Sequence, residues 1–283
     1  MMDDRPPALT RLGNILACPH CSFDKLETAD HSLVCHRCGR AYPIREDKVF
    51  FCHDGGERPE ERPAAANPAT WSDWRKANFA FFEERLAVIH DGAFVLDIGI
   101  GPGHFRSLMS RFEHVGLDFE PYAGVRVVTD LADRLPFRDS TFDVVVASNV
   151  LEHLKRPEEA LCECHRVLKP GGLILITVPF LLRVHQAPND FYRYTHFILH
   201  ELLVRAHFDR VTVQPLGPSS SVLKTMRDSF YEQLFEHAGG IRKLFVKILY
   251  NLSKIIGLFE KRLGRSLPLY DGYTPGYGAV GTA

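Results

Sequence analysis

The sequence predicts an α/β fold built on a mostly parallel, doubly wound sheet, and three observations carry that expectation. The run Phe94-Val95-Leu96-Asp97-Ile98 is apolar enough for a strand buried on both faces, and it breaks into three alternating glycines, Gly99, Gly101 and Gly103. Further apolar runs, Val125 to Val128, Val144 to Ala147 and Leu173 to Val178, follow at intervals set by turn signals and helical patterns. The short run from Glu113 ends in Asp118, 21 residues beyond Asp97, about where a βαβ unit puts a carboxylate to accept two ribose hydroxyls.

Global properties bound the function. The chain has 283 residues, 45% hydrophobic and 24% charged, with a formal charge of -1, which argues against an overall polyanion binder. The N-terminus, Met1 to Pro7, is acidic and proline-bearing with no apolar run, and no stretch approaches the length of a membrane span. The expected compartment is the cytoplasm, with peripheral membrane contact as a second expectation.

Taken in order, residues 1–53 read as a zinc ribbon. Cys18-Pro19-His20-Cys21 and Cys35-His36-Arg37-Cys38 each form a knuckle with two thiolates, and together they complete the four-sulfur tetrahedron that zinc prefers. Four thiolates leave no open position, so Cys18, Cys21, Cys35 and Cys38 predict structural zinc. Leu33-Val34, Ala41 to Ile44 and Val49 to Phe51 supply short strands. Residues 54–70, poor in large apolar side chains, read as a linker.

Residues 71–217 form the main domain. Trp71 to Ile89 has aromatic residues at helical spacing. After the glycines, Phe105 to Phe112 reads as a helix, so the loop amides would face an anionic group at a helix N-terminus. Pro157 to Leu168 is a helix with Pro at its start, stopped by Lys169-Pro170-Gly171-Gly172. Phe208 to Leu216 is the sixth strand, and Gly276 to Gly281 is the only late candidate for a seventh. Residues 218–275 are then a helical insertion, and residues 276–283 the last strand. Within the insertion, Ile241, Leu244, Phe245, Ile248, Leu252 and Ile255 follow three-four spacing among several lysines and arginines. Such a helix is either a lid on the domain or a membrane-surface contact.

The order Asp97-x-Gly99-x-Gly101-x-Gly103, the run Asn149-Val150-Leu151-Glu152-His153-Leu154 and the run Arg166-Val167-Leu168-Lys169-Pro170-Gly171-Gly172 resemble the class I S-adenosylmethionine-dependent methyltransferases, in the type 11 group. The resemblance spans Phe94 to Phe180 and implies a Rossmann-like seven-stranded sheet. It also implies S-adenosyl-L-methionine as cofactor, with Asp97 orienting its ammonium end, Gly99, Gly101 and Gly103 cradling its methionine part and Asp118 holding the ribose. Phe119 would flank the adenine, Asp130 and Leu131 would meet its edge, and Asn149 would complete the pocket. The cysteine segment is similar to zinc-ribbon modules that precede or activate certain methyltransferases, including ribosomal-RNA enzymes.

A methyl transferase needs alignment of a nucleophile, and a base where that nucleophile must lose a proton. In the loop after strand five, His185 and Asp190 are base candidates, Arg193 could clamp an anionic acceptor, and Tyr192 or Tyr194 could stack on it. The alternative is a loop tied down by its own hydrogen bonds. The expected acceptor is a small metabolite, sugar or lipid-linked molecule. RNA recognised through the ribbon, or a silent cofactor-binding scaffold, are the alternatives, and the sequence leaves oligomeric state open.

Overall fold

The computed structural model describes residues 12–52, 68–264 and 272–283. Most of the expected 54–70 linker lies outside the described residues; its end, Pro68–Thr70, is a 3-10 turn.

Four short strands come first: β1 (Leu26–Ala29), β2 (Ser32–Cys35), β3 (Ala41–Arg45) and β4 (Lys48–Phe50). Helix α1 (Asp73–Leu86) follows, then β5 (Phe94–Ile98), β6 (Glu113–Asp118), β7 (Val125–Val128) and β8 (Phe142–Ser148). The chain continues through α2 (Pro157–Val167), β9 (Leu168–Pro179), α3 (His196–Arg205), β10 (Asp209–Leu216), α4 (Ser219–His237), α5 (Ile241–Gly264) and β11 (Gly276–Thr282). The strands form one sheet in the order β1-β2-β3-β4-β7-β6-β5-β8-β9-β11-β10.

From β7 to β9 the pairing is parallel, and the near-continuous Val, Leu and Ile of these strands are buried on both faces, as a sheet covered on each side requires. The late run closes the array: β11 lies antiparallel between β9 and β10. Its glycines are a packing necessity, because a Cβ at Gly276 would come 2.2 Å from the Val178 carbonyl and 2.4 Å from the Trp74 ring.

The ribbon is continuous with this sheet. β4 pairs in parallel with β7 through Val49 and Phe50, covering an edge that would otherwise expose unpaired backbone groups. Leu16, Leu33, Tyr42 and Val49 share one buried cluster with Leu96, Leu117, Val127 and Phe137. Backbone bonds reinforce the join: Ala17 N–H donates to Pro136 O at 3.0 Å and Arg138 N–H to Ile15 O at 2.9 Å. The two segments thus pack as one body, although they read as separate units in sequence.

One expected element differs. The segment after the glycines forms a 3-10 turn, Arg106–Met109, in place of the helix 105–112. Arg106 reaches back to the Ala123 carbonyl and packs against Gly124, which ties the segment to the β6–β7 loop. The helical hairpin of α4 and α5 occupies the insertion.

Candidate active site

Strand order reverses between β5 and β8, and the space beyond the carboxyl ends of those strands is where open α/β sheets bind ligands. A cavity of about 1340 Å³ lies there. Its floor is Asp97 and the Gly99 to Pro102 turn from β5 with Ser148 and Asn149 from β8, its side wall is Trp74, Arg75 and Asn78 of α1, and its roof comes from α4 and α5, including Lys224, Asp228, Tyr231 and Tyr250.

The turn is built on positive φ at Gly99 (67°), Gly101 (53°) and Gly103 (78°). A Cβ at Gly99 would meet Val150 Cγ2 at 2.4 Å, while Gly101 faces open space. The turn does not offer free amides as expected. Gly99 and Ile100 N–H donate to Leu117 O at 2.8 and 3.3 Å, Gly101 N–H to Asp118 Oδ2 at 2.8 Å, and Gly103 N–H to Ile100 O at 3.1 Å. Pro102 has none to give. With no α-helix behind it either, the turn contributes a flat, close backbone wall and no anion hole.

Among the described residues, the positive charge at this end of the cavity comes from Arg75, which lines the wall and makes no ion pair. Burial lowers its pKa, which is the desolvation an anionic partner would offset. Aromatic spacing alone hid this residue. Asp97, buried on the floor, lies 3.8 Å from His114 Nε2. Burial raises its pKa and His114 only partly opposes the shift, so a cationic ligand group would relieve it.

The remaining cofactor candidates divide between wall and rim. Asn149, at φ 55°, accepts from Trp74 Nε1 at 3.0 Å and lines the cavity. Asp118 closes β6 just behind the turn: Oδ2 takes the Gly101 amide and Oδ1 the Glu120 amide at 3.0 Å. Each oxygen keeps a second lone pair. Burial raises the Asp118 pKa against these bonds. Asp118, Phe119, Asp130, Leu131 and Gly103 lie outside the cavity lining; Phe119 is 48% exposed, and Asp130 Oδ1 accepts from its own turn at Ala132 N–H, 2.8 Å.

Of the three loop candidates only His185 reaches the cavity. Asp190 and Arg193, expected as base and clamp, are engaged with each other in a bidentate pair, Nη1 to Oδ1 at 2.5 Å and Nη2 to Oδ2 at 2.8 Å. Arg193 also donates to the carbonyls of Leu182, Arg183 and Tyr192, and Asp190 Oδ2 accepts the His185 amide at 2.7 Å. The Arg193 guanidinium holds the Asp190 carboxyl well below the usual carboxylate range, which makes it a poor proton acceptor. Tyr194 is likewise withdrawn, buried with its hydroxyl donating to Leu151 O at 2.8 Å, and Tyr192 donates to Lys155 O at 3.0 Å. These bonds are what the loop's own structure needs. Arg193→Ala would strand the buried Asp190 carboxylate, a loss of about 3 kcal/mol of stability in urea titration; Arg193→Lys, which cannot restore the fork, is expected to recover less than half of it.

Sequence reading missed Glu152. It sits in the 3-10 turn Leu151–His153 after β8 with 0% exposure, and neither carboxylate oxygen has a hydrogen-bond partner. Burial pushes its pKa up to about 8. A carboxylate directly behind a strand, followed by histidine, was the available signal.

In the ribbon the four cysteines converge. Cys18 Sγ and Cys38 Sγ are 3.6 Å apart, Cys21 Sγ and Cys35 Sγ 3.5 Å, and all four lie within 4.8 Å of one another. Sulfurs at about 2.3 Å from a tetrahedral zinc are about 3.8 Å apart, so the set fits the ion and closes its shell. Tyr42 hydroxyl lies 3.0 Å from Cys18 Sγ and braces it.

Comparisons with known proteins agree with this architecture. Residues 96–176 match the family model described as a methyltransferase domain, and residues 10–47 match the family described as Trm112p-like protein. An uncharacterized methyltransferase of Mycobacterium sp. (strain JLS) is 38% identical over 97 residues, covering 30% of this chain and 38% of the relative. A probable S-adenosylmethionine-dependent methyltransferase of Mycolicibacterium smegmatis is 36% identical over 107 residues, covering 34% and 42%. The chain thus spans about two-fifths of the length of these relatives. A solved S-adenosylmethionine-dependent methyltransferase from Archaeoglobus fulgidus shares the fold at 19% identity and a TM-score of 0.50, over 74% of this chain and 94% of that one.

Proposed function

We propose that this chain, a type 11 methyltransferase domain behind a Trm112p-like zinc ribbon, transfers a methyl group from S-adenosyl-L-methionine to an acceptor held beneath the α4–α5 hairpin. The observation that supports it most is the meeting of Asp97, the Gly99–Pro102 turn and Asn149 in one large cavity at the point where strand order reverses. When bound, the cofactor supplies an electrophilic methyl on a positively charged sulfur.

The chain's own contribution is placement and exclusion of water. Asp97 faces the ammonium end, Arg75 the carboxylate, and the glycines admit the backbone-hugging middle of the molecule. Asp118, with a lone pair left on each oxygen, takes the ribose hydroxyls, with Phe119 at the rim beside the base. His185 puts an imidazole at the acceptor's side of the cavity, and α4 and α5 cover it.

The charge on Asp97 gives this reading a pH signature. Because burial raises its pKa and a cationic ligand favours its charged form, affinity is highest above that raised pKa and falls as acid protonates the carboxyl. S-adenosylmethionine affinity titrated at successively lower pH should fall as the Asp97 carboxyl protonates, by no more than about tenfold per pH unit for one proton. Asp97→Asn is expected to bind weakly throughout, with a flat profile.

A lipid-linked acceptor is favoured by the outer face of the hairpin. Ile241, Leu244, Phe245, Ile248, Leu252 and Ile255 of α5 are exposed in one stripe, and Leu223, Met226 and Phe230 extend it on α4. Arg242 and Lys243 on the same helix suit an anionic lipid surface. No helix of the described residues is long and apolar enough to cross a membrane, so the contact is interfacial. The test is incubation with methyl-labelled cofactor and a total cell extract, followed by phase separation. Label in the organic phase is expected; label confined to the aqueous phase identifies a soluble acceptor, label on RNA a nucleic-acid one, and no transfer at all refutes the enzyme. In parallel, the chain should sediment with anionic vesicles in a salt-sensitive way, and Phe245→Glu should not.

A further inference from the structure

Beside the cavity, three side chains converge that the cofactor has no use for. Glu152 Oε1 lies 3.7 Å from His153 Nε2 and 3.9 Å from His185 Nε2, and the three ligand-type atoms lie within 4.8 Å of one another. The two imidazoles meet edge to face at 5.1 Å. The Glu152 carboxylate is fully buried, aimed into the group and without a hydrogen bond, and His153 Nε2 is equally unpartnered. Three inward-facing polar atoms left open at one point form a cost with no structural return.

The outer faces of the same residues are already organised. His153 Nδ1 bonds the Asn189 carbonyl at 2.5 Å, an acceptor only, so that nitrogen carries the proton and Nε2 keeps its lone pair. His185 Nδ1 lies 3.3 Å from Asp190 Oδ2 and 3.4 Å from Arg193 Nη2. Both hydrogens of that Nη2 are spent, on Arg183 O at 2.9 Å and Asp190 Oδ2 at 2.8 Å. The His185 proton therefore sits on Nδ1 facing Asp190, and its Nε2 lone pair also faces Glu152. Carbonyl or carboxylate support behind each ring is how metal-ligating histidines are held.

From this geometry we infer a second metal site, distinct from the four cysteines, in which Glu152, His153 and His185 bind a divalent transition ion. Two imidazoles and one carboxylate suit zinc or a neighbouring first-row ion better than magnesium or calcium. Ligand atoms around a tetrahedral ion of this kind are about 3.4 Å apart, so the two imidazoles need to draw in only a few tenths of an ångström toward Glu152, and the whole set starts from separations within 4.8 Å. Three protein ligands leave a position open, and His185, the ligand that lines the cavity, directs it there. An oxygen of the acceptor would fill it. That last use rests on the methyl-transfer reading; the binding of the ion does not.

The test counts metal. Untagged full-length protein equilibrated with excess Zn²⁺ and desalted should hold two zinc ions per chain, and one in His185→Ala and in the isosteric Glu152→Gln, with circular dichroism of both variants unchanged. Replacing zinc by Co²⁺ should give thiolate charge-transfer bands from the cysteine site, and a second set of d–d bands without them that both variants lack. A single zinc in the wild type, or two in the variants, overturns the site. S-adenosylmethionine titrated into the same samples separates the two readings: a second zinc without nucleoside binding supports the metal site and refutes methyl transfer, while nucleoside binding with one zinc overturns the metal site alone.

Discussion

Cys38→Ser, which leaves zinc three thiolates, is expected to lower the melting temperature of the whole chain by about 6–20 °C, not merely to loosen residues 12–52. The ribbon strands are three to five residues long and their burial is shallow, so the ion supplies much of their stability. In an appended module the damage would stop there. Here β4 completes the sheet edge at β7, and Leu33, Tyr42 and Val49 belong to the buried cluster that includes Leu96 and Leu117. Losing the ribbon exposes that apolar surface and the backbone of β7 together, a loss of about 3–5 kcal/mol from the main sheet. At roughly 2–4 °C per kcal/mol for a chain of this size, the shift follows. Scanning calorimetry should show one transition moved down; an unmoved main transition would mean the two parts are energetically independent. Cys162→Ser, at an exposed position on α2, is the matched control and should change nothing measurable.

The second large effect is on cofactor affinity. Asp118→Ala removes the acceptor of the Gly101 and Glu120 amides along with the lone pairs available to a ribose. Loss of two hydrogen bonds to a charged group, with the glycine turn freed behind them, should weaken S-adenosylmethionine binding at least about 100-fold, or about 2.7 kcal/mol. Asp118→Asn is expected to be no better. One of its two ends must present N–H to a backbone N–H, so either the Gly101 or the Glu120 contact becomes repulsive. Titration calorimetry with the cofactor reads the affinity, and the melting temperature of each free variant reports the part owed to the turn alone.

What was legible in the sequence was local. The β5 run with its glycines, the two cysteine pairs and the apolar late strand each announce themselves within a few residues, and the sheet places them as their spacing implies. What was not legible depends on which partner a group finds. Nothing in Gly99 to Gly103 says that the amides of the turn are already bonded, which leaves Arg75 on α1 as the cation we propose for the cofactor's carboxylate. Asp190 and Arg193 look like chemistry in a polar loop, yet their three-residue spacing lets them close on each other. Glu152 hid inside a run read for its family resemblance, because burial of a carboxylate is a property of the packed turn and not of the residue order.

The hairpin of α4 and α5 has two unlike surfaces. Tyr231 and Tyr250, 5.4 Å apart between ring centroids, join the two helices, and both line the cavity roof. One surface of the hairpin therefore roofs the cavity, and the stripe along α5 is exposed.

Where the nucleoside binds decides whether this cavity is a methyl-transfer site. A crystal structure of the zinc-loaded chain grown with saturating S-adenosylhomocysteine is predicted to show its thioether against the Gly99 to Gly101 backbone, its ribose on Asp118 and its carboxylate at Arg75. Ligand density elsewhere, or a cavity closed to the compound at saturation, would contradict it.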